Sequence, residues 1–213
     1  MSSRVARLYD RLAGLYEFSM FLAGYHRLLR HGIEQLASRD SVSTRNGILD
    51  IGCGTGLSAK ILSENFPNSR IVGMDLSEKM LNRFAKTNYP SFIGDFNNPS
   101  TIQPFGSTQG TLQEHAPFSL AVSAASISEY GSPRAVSFVE DLLSDDGSML
   151  VIGMRDNIVS RMTGRCWGYK PSGVQKMRTY MDEANFSQIG EMPVSHLRFP
   201  LLSFHKFILY AKK

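Results

Sequence analysis

The stretch GILDIGCGTGLSAKIL, Gly47 to Leu62, sets three glycines within five positions, between a short apolar run and a run with helical spacing. That order predicts a buried strand, a tight backbone turn and the start of a helix. Glycines packed so closely keep side chains away from the backbone. The space is left for a nucleotide's phosphates, for another ligand, or for a tight turn that holds nothing.

Downstream, the pattern alternates. Leu57 to Asn65 reads as a helix ended by Pro67, RIVGMD as a strand, and SEKMLNRFAKT as a helix capped by Ser77. PSFIGDF is a third strand. The polar segment NNPSTIQPFGSTQGTLQEHAP is expected to hold at most a short helix before a fourth strand, FSLAVSA. A helix at about Pro133 to Leu143, the turn SDDG and a fifth strand, SMLVIGM, follow. Strands alternating with helices at this interval imply right-handed crossovers and an α/β fold, a doubly wound parallel sheet with helices on both faces. After a helix near Val174 to Ala184, SQIGEMPVSHL and HKFILYAKK are strand-like and joined only by RFPLLSF, which suits an antiparallel hairpin.

Upstream, Leu8, Leu12, Leu15, Leu22, Leu29, Ile33 and Leu36 form one apolar stripe on helical segments, broken at Gly14 and Gly24. Residues 1–40 are therefore expected to cap the sheet and residues 46–213 to form the core of a single domain. The 213 residues, 42% of them apolar, are enough for a substantial core. The net charge of +4 is scattered, so nucleic acid is not the expected partner. Cys53 and Cys166 make no CxxC pair, which suggests neither disulfide nor thiolate metal site and fits a reducing, cytoplasmic compartment. No run approaches the roughly 20 apolar residues of a membrane span.

The glycine loop runs Gly52, Cys53, Gly54, Thr55, Gly56. A dinucleotide fingerprint, G-x-G-x-x-G, would place its third glycine at Leu57, one residue later, and no Gly-Lys-Ser/Thr supports a P-loop. Asp75 ends the second strand nineteen positions beyond Gly56, where a carboxylate can accept from both hydroxyls of a ribose. Asp95 ends the third strand, placed to accept from an adenine amine with Phe96 beside it.

ILDIGCGTG, VGMDLSEKML and IGDF together resemble the first three motifs of the class I S-adenosylmethionine-dependent methyltransferases, over roughly Asn46 to Lys213. The resemblance implies a Rossmann-like, seven-stranded, mostly parallel sheet with a terminal antiparallel pair, and S-adenosylmethionine as cofactor. It implies that Asp50 meets the amino group of the methionine portion, and that Gly52, Gly54 and Gly56, with Cys53 as a tolerated small residue, let the backbone approach. Asp75 would hold the ribose, Leu76 would lie against the adenine, Asp95 and Phe96 would address its edge, and Ser123 and Ala124 would lie near the sulfonium. Ser119 stands where many members have Asp, which weakens assignment to any particular subfamily. The segment YDRLAGLYEF further resembles the start of quinone-biosynthetic and related small-molecule methyltransferases, and nominates Tyr9 and Tyr16 as pocket residues.

Methyl transfer from a sulfonium is an in-line displacement that rests on alignment and exclusion of water, and it needs a base only for an acceptor that must lose a proton. None of the five histidines has a partner at metal-ligand spacing, so no metal is expected. His26, His196 and Tyr16 are the candidates for a catalytic group. The segment MRDNIVSRMTGRCWGYKP brings Arg155 together with Trp167 and Tyr169, which suits a planar or anionic small-molecule acceptor. The expected activity is methylation of such an acceptor at an O, N or C centre. Transfer of an aminocarboxypropyl group and a cofactor-binding module without turnover stand as alternatives, with RNA or protein acceptors less expected.

Overall fold

The structure, a computed structural model, describes residues 25–167, 169–194 and 205–213. Helix α1 (Tyr25–Ala37) precedes strand β1 (Ile48–Ile51), α2 (Leu57–Asn65), β2 (Ile71–Asp75), α3 (Glu78–Phe84) and β3 (Ser91–Asp95). An edge strand β4 (Asn98–Phe105) and a one-turn helix α4 (Leu112–His115) lead to β5 (Phe118–Ala124), α5 (Ile127–Tyr130), α6 (Pro133–Asp141) and β6 (Leu143–Met154). The chain closes with α7 (Ile158–Trp167), α8 (Gly173–Glu183), β7 (Gln188–Glu191) and β8 (Lys206–Lys212). The sheet has eight strands in the order β4-β3-β2-β1-β5-β6-β8-β7. Pairings β3-β2-β1-β5-β6 are parallel, and β8 runs antiparallel to both β6 and β7.

The central strands are buried on both faces, as parallel strands covered by helices must be. Alternation divides them. Leu49, Ile51, Val72 and Val151 pack toward Val136 and Val139 of α6 and Met177 and Met181 of α8. Ile48, Ile71, Leu120 and Ile152 pack toward Leu29 and Ile33 of α1, Ile61 of α2 and Phe84 of α3. The expected doubly wound sheet with its antiparallel end is thus present, with Ser77 capping α3 through Met80 N–H at 3.3 Å.

The strand count differs by one from the expected seven. β4 lies in the polar segment read as loop, pairing antiparallel with β3, for example Ile93 with Gln103. Most of its side chains are exposed and it carries Pro99 and Pro104, so it shows no alternating apolar signal. An edge strand tolerates both features, because one side of it is unpaired. SDDG is not a free turn either. It bulges within β6, where the partners step from Phe118 with Leu143 to Leu120 with Ser148.

Candidate functional site

In an open parallel sheet the crevice lies beyond the carboxyl ends of the strands, where the order reverses. Here β1 lies between β2 and β5, so the connections leaving it on either side part at that edge. The glycine loop follows β1. Gly52 (φ +70°) and Cys53 donate their N–H groups to the Met74 carbonyl at 2.7 and 3.1 Å, which ties the turn to β2. A β-carbon on Gly52 would lie 2.4 Å from Ser126 Cβ, and one on Gly56 would lie 2.9 Å from Thr87 Cγ2. One on Gly54 (φ +55°) would meet nothing nearer than the Gly52 carbonyl at 4.0 Å. The protein's own packing demands glycine at 52 and 56; at 54 the backbone faces open space.

Asp75 organises this turn. Its Oδ2 accepts from Gly54 N–H at 2.9 Å and its Oδ1 from Ser77 N–H at 2.8 Å, so one carboxylate joins the loop to the start of α3. Asp50 lies fully buried beneath, accepting from the Ser58 hydroxyl of α2 through Oδ2. Its Oδ1 has no hydrogen-bond partner among the described residues. Burial pushes the Asp50 carboxyl up to about 7, against the Ser58 bond that lowers it. Burial likewise pushes the Cys53 thiol up, which makes it unreactive.

A cleft of about 1060 Å³ opens over the loop, lined among others by Tyr25, His26, Gly54, Thr55, Ser58 and Ala124. Ser123 is turned away from it: its hydroxyl accepts from Ile127 N–H at 3.1 Å and pairs with Ser126 Oγ at 2.7 Å. A second hollow of about 380 Å³ is lined by Leu76, Ile93, Gly94 and Asp95. Asp95 accepts from Asn97 N–H at 2.9 Å, while Phe96 is packed in the core. His26 therefore borders the cleft, whereas Tyr9, Tyr16 and His196 lie outside the described residues.

Arg155 points along the sheet edge. Its guanidinium binds Glu191 and the Lys206 carbonyl, the latter at 3.1 Å. Tyr169 is half-buried, donates to Met154 Sδ at 2.7 Å and meets the Tyr130 ring edge-on at 5.7 Å. Trp167 ends α7. Sequence reasoning missed what lies beside these rings. Glu129 on α5 and Lys206 at the start of β8 are both buried, 8% and 5% exposed, and Lys206 Nζ sits 4.9 Å from the centre of the Tyr25 ring. Burial pushes the Glu129 carboxyl up against the pull of Lys206, and pushes the Lys206 ammonium down against the pull of Glu129. No motif signals such a pair, because its members lie on separate elements. Ser126, whose hydroxyl reaches the Ile51 carbonyl at 2.7 Å, was missed for the same reason.

The family profile described as "Methyltransferase domain" matches residues 48–147, the span that carries the loop, Asp50, Asp75, Asp95 and Glu129. Residues 48–147 thus carry a methyltransferase domain of the S-adenosylmethionine-dependent kind. A malonyl-[acyl-carrier protein] O-methyltransferase of Bacillus cytotoxicus is 33% identical to this chain over 79 residues, 37% of this chain and 25% of that protein. The match thus spans about a quarter of that relative. The corresponding enzyme of Magnetococcus marinus is 25% identical over 198 residues, 86% of this chain and 70% of that protein. An S-adenosylmethionine-dependent methyltransferase of Thermotoga maritima superposes with a TM-score of 0.68 at 16% identity, covering 98% of this chain and 99% of that one.

The family's cofactor is S-adenosylmethionine. It carries a cationic amine, and the chain offers a buried, unsatisfied carboxylate oxygen on Asp50 beside a cleft-lining serine. It also carries a ribose, and Asp75 is a two-oxygen carboxylate held at the end of β2 against the glycine loop. The residues present suit the group.

Proposed function

We propose that the chain methylates a small organic acceptor, planar or anionic in character, at an O, N or C centre. The observation that carries this reading is the open face of Gly54 together with the unsatisfied buried Asp50 oxygen, at the carboxyl edge of a sheet whose loop lacks phosphate-binding spacing. S-adenosylmethionine supplies, when bound, an electrophilic methyl on a cationic sulfur. The chain's residues bind and align it. Asp50 takes the amine of the methionine portion, Gly54 admits the backbone-side approach, Asp75 holds the ribose hydroxyls, and Leu76 and Asp95 meet the adenine. Ser123 and Ala124 end β5 beside the reacting centre. Phe96 serves by packing behind Asp95.

Alignment of two reactants and exclusion of water can together lower the barrier by roughly 7–11 kcal/mol, so no further chemistry is demanded of the fold. The planar and anionic character of the acceptor draws support from the Tyr25 ring, which lines the cleft, and from the Lys206 cation over that ring. The O-methyltransferase relatives named above, whose described acceptor is a malonyl group, are in keeping with an acid as acceptor. The reading treats the chain as one cytoplasmic methyltransferase unit.

The test is calorimetric titration with S-adenosylmethionine, S-adenosylhomocysteine and NADH, followed by a coupled assay of S-adenosylhomocysteine release against phenols, quinones, amines and carboxylic acids. Binding of the two sulfur ligands but not NADH, with release driven by one acceptor class and a methyl gain in product mass, is the expected result. Binding of NADH instead would overturn it.

A further inference from the structure

Charged side chains are rarely buried in globular proteins without a reason, and a buried acid and base brought together at the working edge of a sheet are a candidate for proton handling. Glu129 and Lys206 meet that description. Glu129 lies on the short helix that leaves β5 directly after Ala124, which lines the cleft. Lys206 begins β8 opposite Met154, the last residue of β6, so both charges stand at the carboxyl edge that carries the glycine loop. Tyr25 joins the two regions: it lines the cleft, and its ring lies under the Lys206 ammonium. The titratable groups of the described residues that act on Glu129 or border it come from four elements. They are Lys206 of β8, Tyr130 of α5 itself, Tyr169 of the α7–α8 connection, and Tyr25 of α1 through Lys206.

A site of this kind must accommodate a change of charge. The donor brings a sulfonium, and the product is a neutral thioether. A buried region with a fixed lysine cation tolerates a second cation poorly unless a proton departs or an anion forms. We propose, resting on the methyltransferase reading above, that Glu129, buried on the helix that follows cleft-lining Ala124, is the proton-handling residue of the site, its carboxyl ionising when the sulfonium donor enters and regaining a proton from the acceptor. The step balances. An acceptor oxygen or nitrogen lone pair forms the new bond to the methyl carbon, the carbon–sulfur bond breaks with its electron pair kept on sulfur, and the acceptor's proton passes to the Glu129 carboxylate. One cation and one anion become two neutral groups, so the buried charge is the same before and after. Lys206 holds the arrangement by its attraction for the ionised carboxylate. The upward push of burial on the Glu129 carboxyl is in accord with a neutral resting form.

The test needs no acceptor. Titration of the full chain with S-adenosylmethionine and, separately, with neutral S-adenosylhomocysteine, at pH 7 in two buffers of different ionisation enthalpy, counts the protons released on binding. Both ligands share the amine that meets Asp50, so the sulfonium ligand is expected to release roughly half a proton or more beyond what the thioether releases. Glu129→Gln, an isostere of the protonated acid, is expected to abolish that difference while leaving S-adenosylhomocysteine affinity within about twofold; Lys206→Met is expected to keep proton release. Equal proton counts for the two ligands in the unaltered chain, or release that survives Glu129→Gln, would overturn the proposal while leaving the cofactor reading intact. Release lost in Lys206→Met and kept in Glu129→Gln would assign the proton to the lysine and overturn it too. Failure of both ligands to bind would remove the cofactor reading and this role together.

Discussion

Ser126 occupies the space that a side chain on Gly52 would need: a β-carbon there would lie 2.4 Å from Ser126 Cβ and 2.6 Å from its hydroxyl oxygen. The contact clasps the turn after β5 to the turn after β1, and the same serine hydroxyl donates to the Ile51 carbonyl at 2.7 Å. Gly52→Ala therefore meets both an occupied space and a left-handed backbone. It is expected to destabilise the fold by about 2–4 kcal/mol, from overpacking and strain together. Denaturant unfolding checks this. In the double variant with Ser126→Gly, part of the loss is expected to return, because the clash is with that side chain. Strictly additive losses would show that the contact is not the cause.

Gly54→Ala is expected to behave differently, since its added methyl meets open space. The cost to stability is the left-handed backbone alone, about 1–2 kcal/mol. The larger effect falls on S-adenosylmethionine, whose affinity is expected to drop more than about tenfold because the methyl stands where the backbone must be approached. Calorimetric affinity of this variant, compared with its melting temperature, separates the two effects. A variant that binds the ligand normally would show that the open face of Gly54 is not where the cofactor lies.

Asp75→Ala removes the acceptor for Gly54 N–H and Ser77 N–H at once, and with it the proposed ribose contacts. Loss of charge-assisted hydrogen bonds is expected to weaken S-adenosylmethionine binding by roughly 1.5–3 kcal/mol, a factor of about 10 to 150. The carboxylate positions the loop as well as the ligand, so Asp75→Asn, which keeps a carbonyl acceptor, is expected to fall between the two. Affinity unchanged in Asp75→Ala would contradict the ribose role.

Much of this site was legible in the sequence because its parts are local. The glycine spacing, the strand-ending acids Asp75 and Asp95 and the Ser77 cap each depend on residues a few positions apart, and the structure puts Asp75 and the glycine loop in direct contact. The edge strand β4 was not legible. With one unpaired side it need bury no apolar face, and its only sequence trace is Gly94, where a β-carbon would lie 2.6 Å from Ile102 Cα. Nor could sequence show that Gly52 is glycine on account of Ser126, or that Glu129 and Lys206 share a buried neighbourhood. Those relations join residues more than seventy positions apart, and the chain carries no periodic or motif signal across that distance.

Asp50 gives the fold a pH dependence whose sign can be worked out. Burial raises its carboxyl from 3.8 to about 7, so the folded state binds a proton more tightly than the unfolded chain does. Stability from this group is therefore full below about pH 4, declines as pH rises, and is lowest above about 7. The total cost is about 4 kcal/mol for a group wholly out of water. Asp50→Asn is expected to remove that slope, and to unfold at higher temperature than the unaltered chain at pH 8 but not at pH 4. A ligand whose cationic amine meets the ionised carboxylate reverses the penalty, so S-adenosylmethionine is expected to raise the melting temperature of the unaltered chain more at pH 8 than at pH 5. Glu129, also raised by burial, contributes a slope of the same sign, which leaves the difference between the chain and its Asp50→Asn variant as the quantity to measure. Identical pH slopes in the two proteins would show that Asp50 is not the titrating group.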